Sequence, residues 1–263
     1  MTTGALIFAF NNESTDYLAL AEWNARRIRQ FLDIPVAVVT NQSTTRQFDQ
    51  VIVSAAASGG TRHWEDYDST ATWYNANRAQ AYDLSPWDQT LLLDADYVVN
   101  SRDLCTLLDS SQQLLAHRWA RDVTGQNDFE GLNWFGRYRM PMWWATVIMF
   151  RRGTVAQQVF GMMSMIRSHW DHYRDLYGID RSTYRNDFAL SIALMLVNGC
   201  TSDVNSIPWS LSSITPLAAL DYDQGQFRVT WQDQNNRPRY IMLKDMDFHA
   251  MGKSHLERIV AAH

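Results

Sequence analysis

The amino-acid sequence predicts an α/β fold, a single domain with a mostly parallel central sheet flanked by helices. Residues 5–10 and 36–39 are continuous apolar runs of strand length. The segment between them has the periodicity of a helix. A strand, a helix and a strand at this spacing form a βαβ unit, in which the two strands are parallel. A third apolar run, residues 90–93, predicts another buried strand.

The helix of this unit has apolar residues at alternating steps of three and four. Ser14 is the expected N-cap, so the helix is predicted to begin near Thr15, and Pro35 ends the helical region. The apolar positions form one face of the helix; they are Leu18, Ala21, Ala25, Ile28 and Leu32.

The remaining elements follow from the same patterns. Strands are predicted at 51–53, 144–150, 227–231 and 239–243, and helices at 73–84, 102–115, 154–177 and 186–198. Residues 122–142, rich in Gly, Asn and aromatic residues, are predicted to form an irregular insertion.

The composition fits a protein with a sizeable core and no membrane span. Hydrophobic residues make up 46% of the 263 residues and charged residues 19%, and no apolar run approaches the roughly 18 residues that cross a bilayer. The first residues lack the layout of a signal peptide. Cys105 and Cys200 are far apart, so we expect a cytoplasmic protein in which both are buried, unpaired thiols.

Charge and motifs exclude several classes of protein. The net charge of −5 does not favour a strongly basic nucleic-acid binder. No G-x-G-x-x-G or Walker-type loop follows the first strand, which argues against a dinucleotide dehydrogenase and a P-loop enzyme. Residues 63–103 contain eight acidic residues and two arginines, whereas residues 117–152 contain six arginines and three acidic residues. An acidic half that could hold a cation therefore precedes a basic one.

Asp94 and Asp96 are the strongest candidates for functional residues. They follow an apolar strand at the edge where parallel sheets bind ligands. Two carboxylates there are costly to bury unless a cation compensates them, and oxygen ligands suit Mg²⁺ or Mn²⁺. A solvated turn is the alternative, because Asp favours turns. The apolar strand that precedes them favours a metal site over a solvated turn.

Residues 91–96, Leu-Leu-Leu-Asp-Ala-Asp, resemble the DxD signature of GT-A glycosyltransferases. The resemblance implies a Rossmann-like GT-A domain over 1–263. Its half 1–115 would bind a nucleotide-sugar, with UDP the expected nucleotide, together with Mn²⁺ or Mg²⁺. Its half 116–263 would bind the acceptor and carry a C-terminal metal-ligand segment. Asp94, Ala95 and Asp96 would contact the donor.

Residues 248–253 resemble the His-x-x-Gly-x-x-Lys element of glycosyltransferase family 8, the glycogenin-like retaining enzymes, although Lys253 follows Gly252 directly. The resemblance implies that His249 is a third metal ligand and that Gly252 and Lys253 contact the diphosphate. Lys253 would also stabilise the leaving group. A packed histidine is the alternative for His249.

Further positions are similar to elements of that family. Residues 186–190 resemble its Asp-Gln element, which would bring Asp187 to the sugar or the acceptor hydroxyl as a catalytic residue; a helix N-terminal acid is the alternative. Arg78 matches a basic position that reaches the diphosphate, or is a solvated arginine. Strand-end residues could bind the nucleotide or serve as turns and caps: Phe10, Asn11, Asn12 and Thr40.

The acceptor is expected in the basic, aromatic segment. Aromatic faces suit sugar rings and nucleobases, and arginines suit phosphate. At least one of Trp143 and Trp144 must belong to the core, because strand neighbours face opposite ways. Residues 8–13 also resemble small transferases of T4-like phages, which implies hydroxymethylcytosine in duplex DNA as an acceptor. The candidate acceptor residues are Trp134, Arg137, Trp143 and Trp144.

Three alternatives stay open: transfer to a saccharide or a protein, a sugar nucleotidyltransferase, and a nucleotide-sugar-binding module without turnover. Residues 11–13 do not resemble the Gly-rich, basic loop of nucleotidyltransferases.

Overall fold

The computed structural model describes residues 1–64, 69–180, 183–200 and 205–263. A seven-stranded sheet in the order β13-β8-β12-β6-β1-β2-β3 forms its centre. Strands β6, β1, β2 and β3 are parallel, and β12 runs antiparallel to both of its neighbours. The predicted α/β class with a mostly parallel sheet is confirmed. These strands are β1 (Thr3–Phe8), β2 (Val36–Thr40), β3 (Gln50–Val53), β6 (Gln89–Asp94), β8 (Leu114–His117), β12 (Trp144–Arg151) and β13 (Ser206–Ile207).

The other strands form four small sheets. A four-stranded sheet in the order β7-β18-β14-β9 adjoins the edge where β6 ends, since β7 follows β6 directly. A three-stranded antiparallel sheet has the order β15-β16-β17. These strands are β7 (Tyr97–Val98), β9 (Ala120–Asp122), β14 (Leu211–Ile214), β15 (Ala219–Asp223), β16 (Gln226–Gln232), β17 (Pro238–Leu243) and β18 (Phe248–Ala250), with the hairpins β4–β5 (Thr61–Trp64, Ser69–Thr72) and β10–β11 (Trp134–Phe135, Met140–Pro141).

Helix α1 (Tyr17–Leu32) packs on β2 and helix α6 (Asn186–Val197) packs on β12 of the main sheet, and helix α4 (Thr154–Ser168) packs against α6. The buried positions of the first long helix include all five that the periodicity predicted. No helix in the described ranges is both long and apolar enough to cross a membrane. The helices are α1 (Tyr17–Leu32), α2 (Ala81–Leu84), α3 (Cys105–Leu108), α4 (Thr154–Ser168), α5 (Trp170–Tyr177), α6 (Asn186–Val197) and α7 (Lys253–Ala262), with 3₁₀ turns at Arg78–Gln80 and Gly131–Asn133.

Two predicted helices are wrong. Only Arg78–Gln80 and α2 are helical within 73–84, because Trp73 runs extended and exchanges backbone hydrogen bonds with Gly59 and Gly60. Only α3 is helical within 102–115, because residues 114 and 115 belong to a buried strand of the main sheet. In both segments, tertiary pairing overrides the local periodicity.

Two smaller expectations are corrected. Asp16, not Ser14, caps α1, and its carboxylate accepts from the backbone N–H of Ala19. Cys200 is exposed and Cys105 half-buried, so neither is the fully buried thiol that was expected. The strands at 51–53, 144–150, 227–231 and 239–243 and the helix at 186–198 are confirmed, and 154–177 forms two helices that meet at His169.

Candidate metal centre and its cavity

A cavity of about 740 Å³ opens at the carboxyl ends of β1 and β6. Because β12 is antiparallel to β6, its first residues, Trp144 to Thr146, lie at the same edge and form part of the wall. The N-termini of α6 and α7 and the strand β18 complete it. The strand order thus brings residues from both ends of the chain to one site.

Asp94, Asp96 and His249 meet in this cavity. Each offers a ligand atom, and these atoms all lie within 4.8 Å of one another. Antiparallel pairing of β7 with β18 sets His249 opposite Tyr97, and the backbone N–H of Ala250 donates to the carbonyl oxygen of Asp96 at 2.9 Å. His249 Nε2 is 3.5 Å from Asp96 Oδ2. Two carboxylates and an imidazole fit a divalent cation such as Mn²⁺ or Mg²⁺.

Two cations hold the carboxylates. An Arg78 guanidinium nitrogen is 2.5 Å from Asp94 Oδ1, and Lys253 Nζ is 2.6 Å from Asp96 Oδ2. Both basic side chains are nearly buried, with 1% and 8% of their surface exposed. Lys253 Nζ also donates to the carbonyl oxygen of Met251 at 3.1 Å. Arg78 is therefore not the solvated arginine of the alternative interpretation.

The two carboxylates differ in their electrostatics. Burial raises the pKa of Asp94; Arg78 opposes the rise, and the Asp96 carboxylate adds to it. Burial also opposes ionisation of Asp96, but Lys253 and His249 outweigh it and hold the pKa of Asp96 well below its usual range. The Asp96 carboxyl is thus the more readily ionised of the two, whereas burial disfavours the charged form of Asp94.

Asp187 ties two walls of the cavity together. Its Oδ1 accepts from the backbone N–H of Ala145 at 2.9 Å, which joins the first turn of α6 to β12. Its Oδ2 accepts from Arg185 at 2.7 Å. Its charge is close enough to Asp94 to raise the pKa of that carboxyl. Asp187 is therefore held in place next to the candidate metal ligands.

The predicted donor residues divide into two groups. Phe10, Asn12 and Ala95 line the cavity, as do Arg78, Asp94, Asp96 and Lys253. The described wall does not include the other three. Asn11 donates to Asp16 and accepts from the N–H of Leu18 in the first turn of α1. Thr40 is fully buried at the end of β2, and Gly252 is the N-cap of α7.

The predicted acceptor residues are scattered. Of these four, the cavity wall includes Trp144 alone. Trp143 is 0% exposed, which removes it from the surface that an acceptor could reach. Trp134 is half-buried and its ring lies 4.7 Å from the buried Arg118 guanidinium, whereas Arg137 is exposed. Both Trp143 and Trp144 are buried, although strand alternation demanded only one.

Sequence reasoning missed part of the cavity wall. Trp73, Tyr74 and Asn75 line it, and the segment 180–187 contributes Thr183 and Arg185. Asn186 Nδ2 donates to the carbonyl oxygen of Asn75 at 2.8 Å, so these two segments meet. The aromatic pair Trp73–Tyr74, five and four residues before Arg78, was the available signal, but the segment was predicted to be helical.

No protein-family model matches this sequence, and comparison with curated proteins finds no match. Among solved structures, the glycosyltransferase GlyE of Streptococcus pneumoniae TIGR4 is 13% identical, with 79% of this chain and 46% of GlyE covered at a TM-score of 0.44. The galactosyltransferase LgtC, in complex with donor and acceptor sugar analogs, is 13% identical, with 73% and 70% covered at a TM-score of 0.43.

A glucose-1-phosphate thymidylyltransferase from Bacillus anthracis is also similar, at 10% identity, with 78% of this chain and 97% of that one covered at a TM-score of 0.37. This chain spans less than half the length of GlyE.

Proposed function

We propose that this protein is a metal-dependent glycosyltransferase, which moves a sugar from a nucleoside-diphosphate sugar to a hydroxyl acceptor. The meeting of Asp94, Asp96 and His249 beside Arg78 and Lys253 carries the proposal. Carboxylates and an imidazole serve a divalent cation, and buried basic groups serve a diphosphate. Residues 1–115 supply most of the donor side, and residues 116–263 supply the acceptor side together with His249 and Lys253.

Each residue has a part in the proposed mechanism. Asp94, Asp96 and His249 would hold Mn²⁺ or Mg²⁺, which supplies charge neutralisation for a departing diphosphate. Lys253 and Arg78 stabilise the same negative charge as the bond to the sugar breaks. Asp187, fixed by Ala145 and Arg185, orients the sugar or the acceptor hydroxyl. Phe10 and Asn12 contact the nucleotide, for which UDP is the first candidate. We expect retention of the anomeric configuration.

The first experiment is a thermal-shift screen of nucleoside diphosphates and their sugars, with and without Mn²⁺. A shift that requires both the metal and one particular nucleotide supports the donor site, because ligands that bind the native state stabilise it. No shift with any pair, in a folded sample, contradicts the proposal. The donor found is then incubated with acceptors. Free nucleoside diphosphate indicates glycosyl transfer, pyrophosphate indicates a nucleotidyltransferase, and binding without turnover indicates a binding module.

Duplex DNA that carries hydroxymethylcytosine is a second candidate acceptor beside a saccharide or a protein. The observation that favours it is the exposure of Trp119, Arg137, Tyr138 and Arg139, of which Trp119 and Arg139 both lie against the Trp134 ring. Contacts with phosphate make such binding strongly dependent on salt. Fluorescence anisotropy with a labelled duplex should therefore show binding at low salt that weakens steeply as salt increases. No binding at low salt contradicts this acceptor.

A further inference from the structure

The candidate metal ligands are already paired with cations. Arg78 lies 2.5 Å from Asp94 Oδ1 and Lys253 Nζ lies 2.6 Å from Asp96 Oδ2, both with almost no exposed surface. The two pairs together are electrically neutral. A divalent cation bound by these carboxylates therefore competes with Arg78 and Lys253 for the negative charge of the same two groups.

The same two basic groups are the ones that a diphosphate would attract. Guanidinium and ammonium groups bind phosphate oxygens through charge-assisted hydrogen bonds. If the metal binds alone, the site gains two positive charges while Arg78 and Lys253 lose their carboxylate counter-charges. If the diphosphate binds alone, Asp94 and Asp96 lose their cationic ones. A buried charge without a counter-charge is costly, so each ligand alone leaves an unfavourable site.

We propose that Arg78 and Lys253 exchange partners, from the carboxylates in the free protein to the diphosphate in the loaded protein. The metal and the donor then bind with positive coupling beyond their direct contact, because the carboxylate–cation pairs are broken once for both ligands. The inference rests on the proposed function and adds to it a role for the two basic residues in linking its two ligands.

The position of Lys253 supports an exchange. It is the first residue of α7, where the positive end of the helix dipole disfavours a cation. Lys244 and Lys253 are the only lysines in the chain, against 21 arginines. A lysine ammonium is a compact charge on a flexible stem, so it can change partners more freely than a forked guanidinium. Asp96 compensates Lys253 in the free protein, and the diphosphate does so in the complex.

Titration calorimetry with Mn²⁺ and with UDP, GDP, ADP, CDP and dTDP measures the coupling. In the wild type, Mn²⁺ should raise the affinity for the preferred diphosphate at least about tenfold, and the diphosphate should raise the affinity for Mn²⁺ by the same factor. In Lys253→Met, Mn²⁺ alone should bind about three- to tenfold more tightly, because its competitor at Asp96 is gone, and the coupling factor should fall. Lys244→Met, which removes an exposed lysine, should change neither value.

NMR spectroscopy with lysine-selective ¹³Cε labelling tests the exchange independently in the wild type, since the spectrum contains only two lysine signals. Diamagnetic Mg²⁺ replaces Mn²⁺. The Lys253 signal should move furthest when Mg²⁺ and the diphosphate are present together, while the Lys244 signal stays in place. The assignment comes from the spectrum of Lys244→Met.

The possible results distinguish a failure of the partner exchange from a failure of the proposed function. If the wild type binds both ligands but Lys253→Met leaves the Mn²⁺ affinity and the coupling unchanged, the exchange is refuted and the proposed function stands. A Lys253 signal that keeps its free position in the Mg²⁺–diphosphate complex refutes it as well. If the wild type binds neither ligand, the proposed function fails and the exchange fails with it.

Discussion

His117 makes the stability of the fold sensitive to acid. Its side chain is 1% exposed, at the end of β8, and Nδ1 donates to the carbonyl oxygen of Trp209 at 3.0 Å. Nε2 is buried and has no hydrogen-bond partner within the described part of the chain. A second proton would have to be placed on this buried atom. Burial therefore lowers the pKa of His117 to about 4, and the hydrogen bond to Trp209 only partly opposes this.

The sign and size of the effect follow from the lowered pKa. Unfolding exposes His117, and its pKa returns to 6.5, so below that pH the unfolded chain binds a proton that the folded one does not. The contribution of His117 to the free energy of unfolding is fully present above pH 6.5 and decreases as the pH falls toward 4. Between these limits the loss is roughly 3 kcal/mol, and about 2 kcal/mol of it is lost by pH 5.

Urea unfolding at pH 7.5 and pH 5.0 measures this loss. His117→Asn keeps a donor for the Trp209 carbonyl and removes the titrating group, so its unfolding free energy should fall by about 2 kcal/mol less than that of the wild type over this interval. His172→Asn, which replaces an exposed histidine, is the matched control and should behave like the wild type. Equal pH dependence in His117→Asn and the wild type would refute the reasoning.

Two further predictions concern the site and the backbone. Asp94→Asn removes a candidate metal ligand and the partner of Arg78, so it should abolish the Mn²⁺-dependent thermal shift with nucleotide while the circular dichroism spectrum stays native; a retained shift contradicts the metal site. Gly136 has φ +66°, and an added Cβ would lie 2.3 Å from the Tyr177 carbonyl oxygen, so Gly136→Ala should lower the Tm by about 3 °C or more. Gly161 lies on the exposed face of α4 with open space around it, so Gly161→Ala should not lower the Tm. Equal effects of the two substitutions would show that backbone strain and the close contact at Gly136 are not the cause.

The middle of the central sheet was predictable because β1, β2 and β6 are buried on both faces. Such strands are continuous apolar runs, as in β1, β2 and β6, and these are distinct from any helical pattern. The segments 73–84 and 102–115 were not predictable in the same way. Their apolar residues fit a helix equally well, and only pairing with distant segments, such as Trp73 with Gly59 and Gly60, decides their structure.

The candidate site was predictable where the residues lie at strand ends. Asp94 is the last residue of β6 and Asp96 lies two residues beyond it, so the edge of the sheet fixes their place. His249 and Lys253 came from a resemblance, since no local pattern links them to Asp96; the pairing of β18 with β7 does so. The acceptor region was not predictable from composition, because aromatic residues serve the core as readily as a ligand, as the buried Trp143 shows.

Strand β17 has a consequence for how the protein behaves in concentrated solution. In the described part of the chain it is one of the two outer strands of its sheet, with Tyr240, Ile241 and Met242 exposed. Such a strand offers free backbone groups and apolar side chains to any other chain, which is a route to aggregation. Pro238 and the charged residues around it oppose that pairing: Arg237, Arg239, Lys244 and Asp245. Because salt screens the repulsion between the basic side chains of Arg237 and Lys244 at the ends of two such strands, dilute buffers of low ionic strength should preserve the monodisperse protein longest.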